Sequence, residues 1–294
     1  MLLVGRIYGV AALAALAVAA PTRLASRAVS TDVLSQLSLF AEYSAASYCS
    51  NNINSTGDAL TCDDGNCAAV QSADTTTLWE FDRVCSYGNV AGFFAVDKTN
   101  KLLVLSFRGS RVVSTWIANI NTALADVTSL CSGCKAHAGF WESWETVASD
   151  VSSQIKSAQS KYPGYKVVVT GHSFGGAVAA LAGTALRNGG TTLSLYTYGQ
   201  PRLGNKALAT FTTNQGSLWR VTHTNDIVPR LPPTSFGFSH PSPEYWVTSG
   251  NTDTITTSDV EIVEGIDSKS GNRGELIPGV TAHLWYFGNI GQCE

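Results

Sequence analysis

Basic side chains are in short supply. The 294 residues include 19 Lys and Arg against 22 Asp and Glu, so nothing points to a polyanionic partner such as nucleic acid. Long apolar runs are scarcer still. The one that qualifies, Val10 to Ala20, follows Arg6 and ends in Ala-Val-Ala-Ala. It is too short to span a bilayer as a helix, and the pattern is that of a secretory signal over residues 1–20. No second run is long enough for a transmembrane anchor. Pro21 to Arg27 reads as a short propeptide cut after Arg27. Losing Arg6, Arg23 and Arg27 leaves 16 basic against 22 acidic residues, a net charge of about −6. Pro/Ser-rich linkers and internal repeats are also missing, so residues 28–294 are expected to form one domain with a large core.

Seven cysteines in a chain with a secretory signal imply disulfides with one thiol left over. Cys62 and Cys67 enclose the turn sequence Asp-Asp-Gly-Asn, and Cys131 and Cys134 enclose Ser-Gly; both pairs suit small local loops. Cys49 and Cys293 would then tie the termini together, leaving Cys85. Cys131-x-x-Cys134 could instead be a redox or zinc pair, but no second C-x-x-C accompanies it. Asn54-Ser-Thr56 is a glycosylation sequon and belongs on a surface loop.

The richest stretch is Lys166 to Leu186. Four β-branched residues, Val167 to Thr170, run into Gly171-His-Ser-Phe-Gly-Gly176, and an alanine-rich helical pattern follows. In a strand–turn–helix context, G-x-S-x-G is a nucleophile elbow: Gly171 and Gly175 spare a Cβ where strand and helix crowd, and the turn lifts the Ser173 hydroxyl off the sheet edge. A close-packed glycine turn without chemistry is the plain alternative. Around it, Val33, Leu34, Leu37, Phe40, Ala41, Ala45 and Tyr48 share helical spacing behind a Ser30 N-cap. Phe93–Val96 and Leu102–Phe107 read as a hairpin. A second helical stripe runs from Phe140 to Ala158, and Thr192–Tyr198 and Ser217–Thr222 read as strands. Alternating strands and helices predict an α/β sandwich with an at least partly parallel sheet.

A serine hydroxyl needs an imidazole to take its proton and a carboxylate to hold that imidazole. Elbow enzymes run Ser, then acid, then His. Among the five histidines, His137 and His172 precede Ser173, and His223 precedes every later acid. His283, before the apolar run Leu284-Trp-Tyr-Phe287, fits best. His240, in a Ser/Pro-rich stretch expected at the surface, is the other candidate. Asp226, three residues past a strand, suits the acid; Asp259, Glu264 and Asp267 are expected to be solvated. The oxyanion would be held by the Phe174 N–H and by Ser110, which follows the Leu102–Phe107 strand. Next, Val112, Val113, Trp116, Ile117 and Ile120 fall on one helical face, a pattern that suits a lid or an ordinary core helix.

Gly171-His-Ser-Phe-Gly-Gly176, Phe107-Arg-Gly-Ser110, Trp116-Ile-Ala-Asn119, Thr222-His-Thr-Asn-Asp-Ile-Val-Pro-Arg-Leu-Pro-Pro233 and Ala282-His-Leu-Trp-Tyr286 together resemble the secreted fungal class 3 lipases of the Thermomyces type. The resemblance runs from Ser30 to Cys293. It implies an α/β-hydrolase-like fold with a central, mostly parallel sheet, triacylglycerol hydrolysis at a lipid–water interface without metal or cofactor, and a hinged lid. It also implies a Ser173–Asp226–His283 triad, Ser110 and Phe174 as oxyanion donors, Trp116 as the lid aromatic, and the cysteine pairs given above. Leucine is common in the family where Phe174 stands, and the lid carries Ser114-Thr115 with no acidic residue. A phospholipase A1 or a feruloyl esterase could share this fold, although the apolar lid face favours lipids; a non-catalytic binding protein would have to keep the whole set idle.

Overall fold

The computed structural model describes residues 28–293, so the expected signal and propeptide lie outside the described residues. In chain order, helix α1 spans Thr31–Ala46 and α2 Ala68–Ser72. Strands β1 (Thr75–Cys85), β2 (Gly88–Asp97) and β3 (Leu102–Phe107) follow. A short helix α3 (Val113–Ala118) leads to the small hairpin β4 (Leu124–Asp126) and β5 (Lys135–His137), then to α4 (Ala138–Lys161). The elbow joins β6 (Lys166–His172) to α5 (Phe174–Asn188). Then come β7 (Leu193–Tyr198), α6 (Lys206–Asn214), β8 (Leu218–His223), β9 (Glu244–Val247) and β10 (Val260–Val263).

Eight strands form one sheet in the order β1-β2-β3-β6-β7-β8-β9-β10. The pairings from β3 through β9 are parallel and the outer ones antiparallel. Both faces are covered, which is why the central strands read as unbroken apolar runs. Leu103, Leu105, Phe107, Val167 and Val169 point into the core under α4 and α5. The alternate residues Leu102, Val104 and Val168 point into the core under α1. Helix α1 starts at Ser30, whose hydroxyl accepts from the Val33 N–H, and also touches the sheet through polar groups: Tyr43 donates to buried Asp97, and Ser44 lies 2.9 Å from Thr170.

The chain pairs Cys49 with Cys293, Cys62 with Cys67, and Cys131 with Cys134, while Cys85 is a free, half-buried thiol beside Gly88 and Ser143. Asn54 is exposed, in a loop gripped by the Glu80 carboxylate. Two expectations need correction. Helix α3 is shorter than the apolar pattern implied; Val112 precedes it in non-helical backbone and stands 58% exposed, at the rim of the cavity it lines with Trp116 and Ile120. His240, expected at the surface, is buried: its Nε2 donates to the Pro229 carbonyl, and its backbone N–H donates to Asp267, itself ion-paired with Arg202 instead of solvated. No described helix is long and apolar enough to cross a membrane.

Candidate active site

The elbow is built by close approach. A Cβ at Gly171 would lie 2.5 Å from the Gly175 carbonyl oxygen, and one at Gly175 would lie 2.2 Å from that of Phe107. Both positions therefore exclude any side chain. Ser173 caps α5 at φ 58 and ψ −130, a conformation non-glycine residues avoid and one that costs of order 1–3 kcal/mol. Its backbone N–H donates to the Tyr198 carbonyl, and its Oγ is fully buried with no hydrogen-bonding partner among the described residues.

Asp226 lies three residues past β8. Its Oδ1 accepts from the Val228 N–H at 2.9 Å, and its Oδ2 accepts from both His283 Nδ1 (2.8 Å) and the Tyr286 hydroxyl (2.6 Å). Asn272 fastens the Asp226 carbonyl, and Asp226 bridges to Gly279 in the loop that leads to His283. With Nδ1–H committed to the carboxylate, His283 presents Nε2 as a lone pair, the form a general base requires. That Nε2 is buried and, like Ser173 Oγ, has no partner among the described residues. The two unsatisfied atoms share one locality: the His283 ring lies 4.5 Å from that of His172, the residue before Ser173, and Gly199, after Tyr198, abuts His283. Unpaired buried polar atoms are costly, and they collect where chemistry needs them.

The Arg108–Ser110 segment lies against the elbow, since a Cβ at Gly109 would fall 2.8 Å from the His172 carbonyl oxygen. Ser110 is half-buried there, and the Phe174 N–H opens α5, where the helix dipole favours negative charge. Over this floor, Trp116 stacks on Phe140 at 6.3 Å and Phe140 meets Phe174 edge-on at 5.8 Å. Val113 is buried, Ile117 and Ile120 half-buried. The segment around α3 thus turns apolar side chains inward, around a cavity of about 270 Å³ lined by Tyr87, Ser110, Trp116, Ile120, Phe140 and Phe174.

Of the rejected histidines, His223 bonds the Ala282 and Ser249 carbonyls, and His137 bonds the Asn121 carbonyl just past α3. Burial pushes His137 down to about 4. Sequence reasoning missed Tyr286, whose phenol was hidden inside an apolar run, and Gly199. Asp259 accepts from the Thr256 N–H and Glu264 from Ser242, both away from the His283 cluster.

A family model described as lipase (class 3) matches residues 104–236, and one for the lipase 3 N-terminal region matches residues 6–79. The chain is similar to secreted mono- and diacylglycerol lipase A of Penicillium cyclopium, 44% identical over 94% of this chain and 92% of that protein. It is 39% identical to secreted mono- and diacylglycerol lipase 1 of Fusarium solani over 90% of this chain and 79% of that one. Among solved structures, the mono- and diacylglycerol lipase of Aspergillus oryzae superposes with a TM-score of 0.85 at 38% identity, over 89% of this chain and 98% of that one. With its α/β-hydrolase-like sheet and this degree of identity across nine-tenths of its length, the chain belongs to the class 3 lipase family as a secreted carboxylic ester hydrolase.

Proposed function

We propose that this enzyme hydrolyses acylglycerol esters at a lipid–water interface through Ser173, His283 and Asp226, with mono- and diacylglycerols preferred over the triacylglycerols that the sequence suggested. The observation that carries the chemistry is the buried Asp226–His283 pair, whose free Nε2 faces the locality of a strained, unpartnered serine. The preference for partial glycerides rests on the names of the relatives that match at 39–44% identity.

In this reading His283 Nε2 removes the Ser173 proton as Oγ attacks the ester carbonyl. The Phe174 N–H and Ser110 hold the oxyanion, and Asp226 supports the imidazolium. His283 then returns the proton to the departing glycerol oxygen. Water, deprotonated by the same Nε2, attacks the acyl-enzyme; collapse releases the fatty acid and restores Ser173. The working enzyme is residues 28–294 after loss of signal and propeptide.

Interface binding is supported by apolar side chains left in water near the site. Leu276 and Ile277 are 93% and 79% exposed in the loop that reaches His283, and Val112 flanks the lid. Exposed clusters of this kind mark interaction surfaces. Lid opening would add the faces of Trp116 and Val113.

The test is Ser173→Ala on p-nitrophenyl butyrate: activity should vanish, and near-native turnover would refute the assignment. Covalent labelling of Ser173 by an organophosphonate separates this reading from an idle binding protein. Emulsified monoolein, diolein and triolein, run beside lecithin and methyl ferulate, fix the substrate class.

A further inference from the structure

His172 is excluded as the base by its place in the chain, yet its ring joins two separate parts of the site. Its Nε2 lies 2.8 Å from the backbone carbonyl oxygen of His283, and its Nδ1 lies 2.8 Å from the Tyr48 hydroxyl. A carbonyl oxygen only accepts, so Nε2 must carry the hydrogen. In the neutral ring Nδ1 is then a lone pair, and Tyr48 donates to it. The tautomer follows from the partners. Burial, and the neighbouring His283 ring, push the His172 imidazole well below the ordinary histidine range, so it stays neutral. Tyr48 in turn fills the space a side chain at Gly109 would need: a Cβ there would coincide with its hydroxyl.

We propose that His172 is a positioning residue of the active site, fixed as the neutral Nε2–H form. It pins the backbone of the base to the strand that carries the nucleophile and, through Tyr48, keeps both in register with the oxyanion loop. The three parts come from separate chain segments at the sheet edge: Ser173 after β6, His283 on the turn Thr281–Leu284, and Ser110 after β3. Acyl transfer needs these held to a fraction of an ångström. The inference rests on the triad reading proposed above.

Four variants are compared with wild type on soluble p-nitrophenyl butyrate, with Tm measured for each: Ser173→Ala, His172→Leu, His172→Gln and Tyr48→Phe. His172→Leu leaves the His283 carbonyl without a donor and should lower kcat by about tenfold or more at little change in KM. The glutamine amide nitrogen falls where Nε2 does, so His172→Gln should recover a large part of that loss. Tyr48→Phe removes the donor to Nδ1 and should lower kcat in the same direction, by less than His172→Leu. An active Ser173→Ala would sink the triad reading itself. With Ser173→Ala inactive, any of three results overturns the role of His172 alone: a His172→Leu kcat within about twofold of wild type, a glutamine variant no better than leucine, or a Tyr48→Phe kcat equal to that of wild type. Should the leucine variant fail to fold, ¹⁵N NMR of the wild-type ring decides: a proton on Nε2 supports the proposal and one on Nδ1 overturns it.

Discussion

Tyr286 donates its phenolic hydrogen to the same carboxylate oxygen of Asp226 that holds His283, at 2.6 Å beside 2.8 Å. Burial and the adjacent carboxylate push the Tyr286 hydroxyl well above the ordinary phenol range, so it remains a donor at any working pH. Together with the Val228 N–H, it leaves the Asp226 carboxylate little freedom to rotate away from the imidazole.

Tyr286→Phe removes one hydrogen bond to a carboxylate and no packing volume. A hydrogen bond to a charged group contributes about 1.5–3 kcal/mol, part of which appears in the transition state. We expect kcat on a soluble ester to fall about tenfold with KM unchanged, and Tm to drop by a few degrees. Wild-type kcat in a folded Phe variant would show that the phenol holds nothing the catalyst uses.

Gly199 offers a sharper test of placement. At φ +55 it sits in left-handed backbone, and an added Cβ would lie 2.8 Å from both Cε1 and Nδ1 of His283 and 3.1 Å from Asp226 Oδ2. Gly164 shares the backbone problem, at φ +82, with open space around it. Alanine at either position costs about 1–2 kcal/mol of strain, so both variants should lose stability, Gly199→Ala the more because its Cβ meets a buried ring. Only Gly199→Ala should also displace the imidazole, lowering kcat by about 100-fold. Equal activities for the two alanine variants would contradict the geometry.

These contrasts mark what the sequence could and could not convey. The elbow was legible because strand, glycines and helix are contiguous, and the chain order Ser, Asp, His left few alternatives. Helix α1, the hairpin of β2 and β3, and strands β6 to β8 were visible as long apolar patterns; β1, with mixed burial, and the four-residue β9 and β10 were not. His240 misled because Ser239-His-Pro-Ser-Pro243 has the composition of a surface loop. It is buried by partners from elsewhere: Arg202 and Asp267 pair beside it, and Arg220 meets Glu244 at 3.4 Å. Tyr286 was read as apolar because its ring is; only the fold reveals what its hydroxyl reaches. Val112 fits a helical wheel, but the helix starts one residue later.

Trp116 covers Phe140 with its ring half-buried, so a lid that opens exchanges this contact for lipid. Trp116→Ser removes apolar area that contributes about 1–2 kcal/mol at an interface. The ratio of activity on emulsified diolein to activity on soluble p-nitrophenyl butyrate should therefore fall about tenfold. A ratio equal to that of wild type would mean that Trp116 belongs to the core and not to a moving cover.

Acid should unfold this protein partly through His137. Its Nδ1 accepts from the Phe140 N–H, capping α4, while Nε2–H donates to the Asn121 carbonyl just past α3. A second proton would set a cation and an N–H donor against the helix N-terminus, where the dipole opposes positive charge. Burial accordingly lowers the imidazole to about 4, against the ordinary 6.5. Between those values the unfolded chain binds a proton that the folded one refuses, so stability rises with pH and is lost as pH falls from about 6.5 to about 4. His172 and His240, held down by burial in the same way, push in the same direction. We expect the Tm of wild type to decline across that window. His137→Asn keeps a side-chain acceptor for the cap and has no proton to gain; it should start from a lower Tm at pH 7 and decline less steeply. Parallel curves for the two proteins would mean that His137 is charged in the folded state, contrary to its burial.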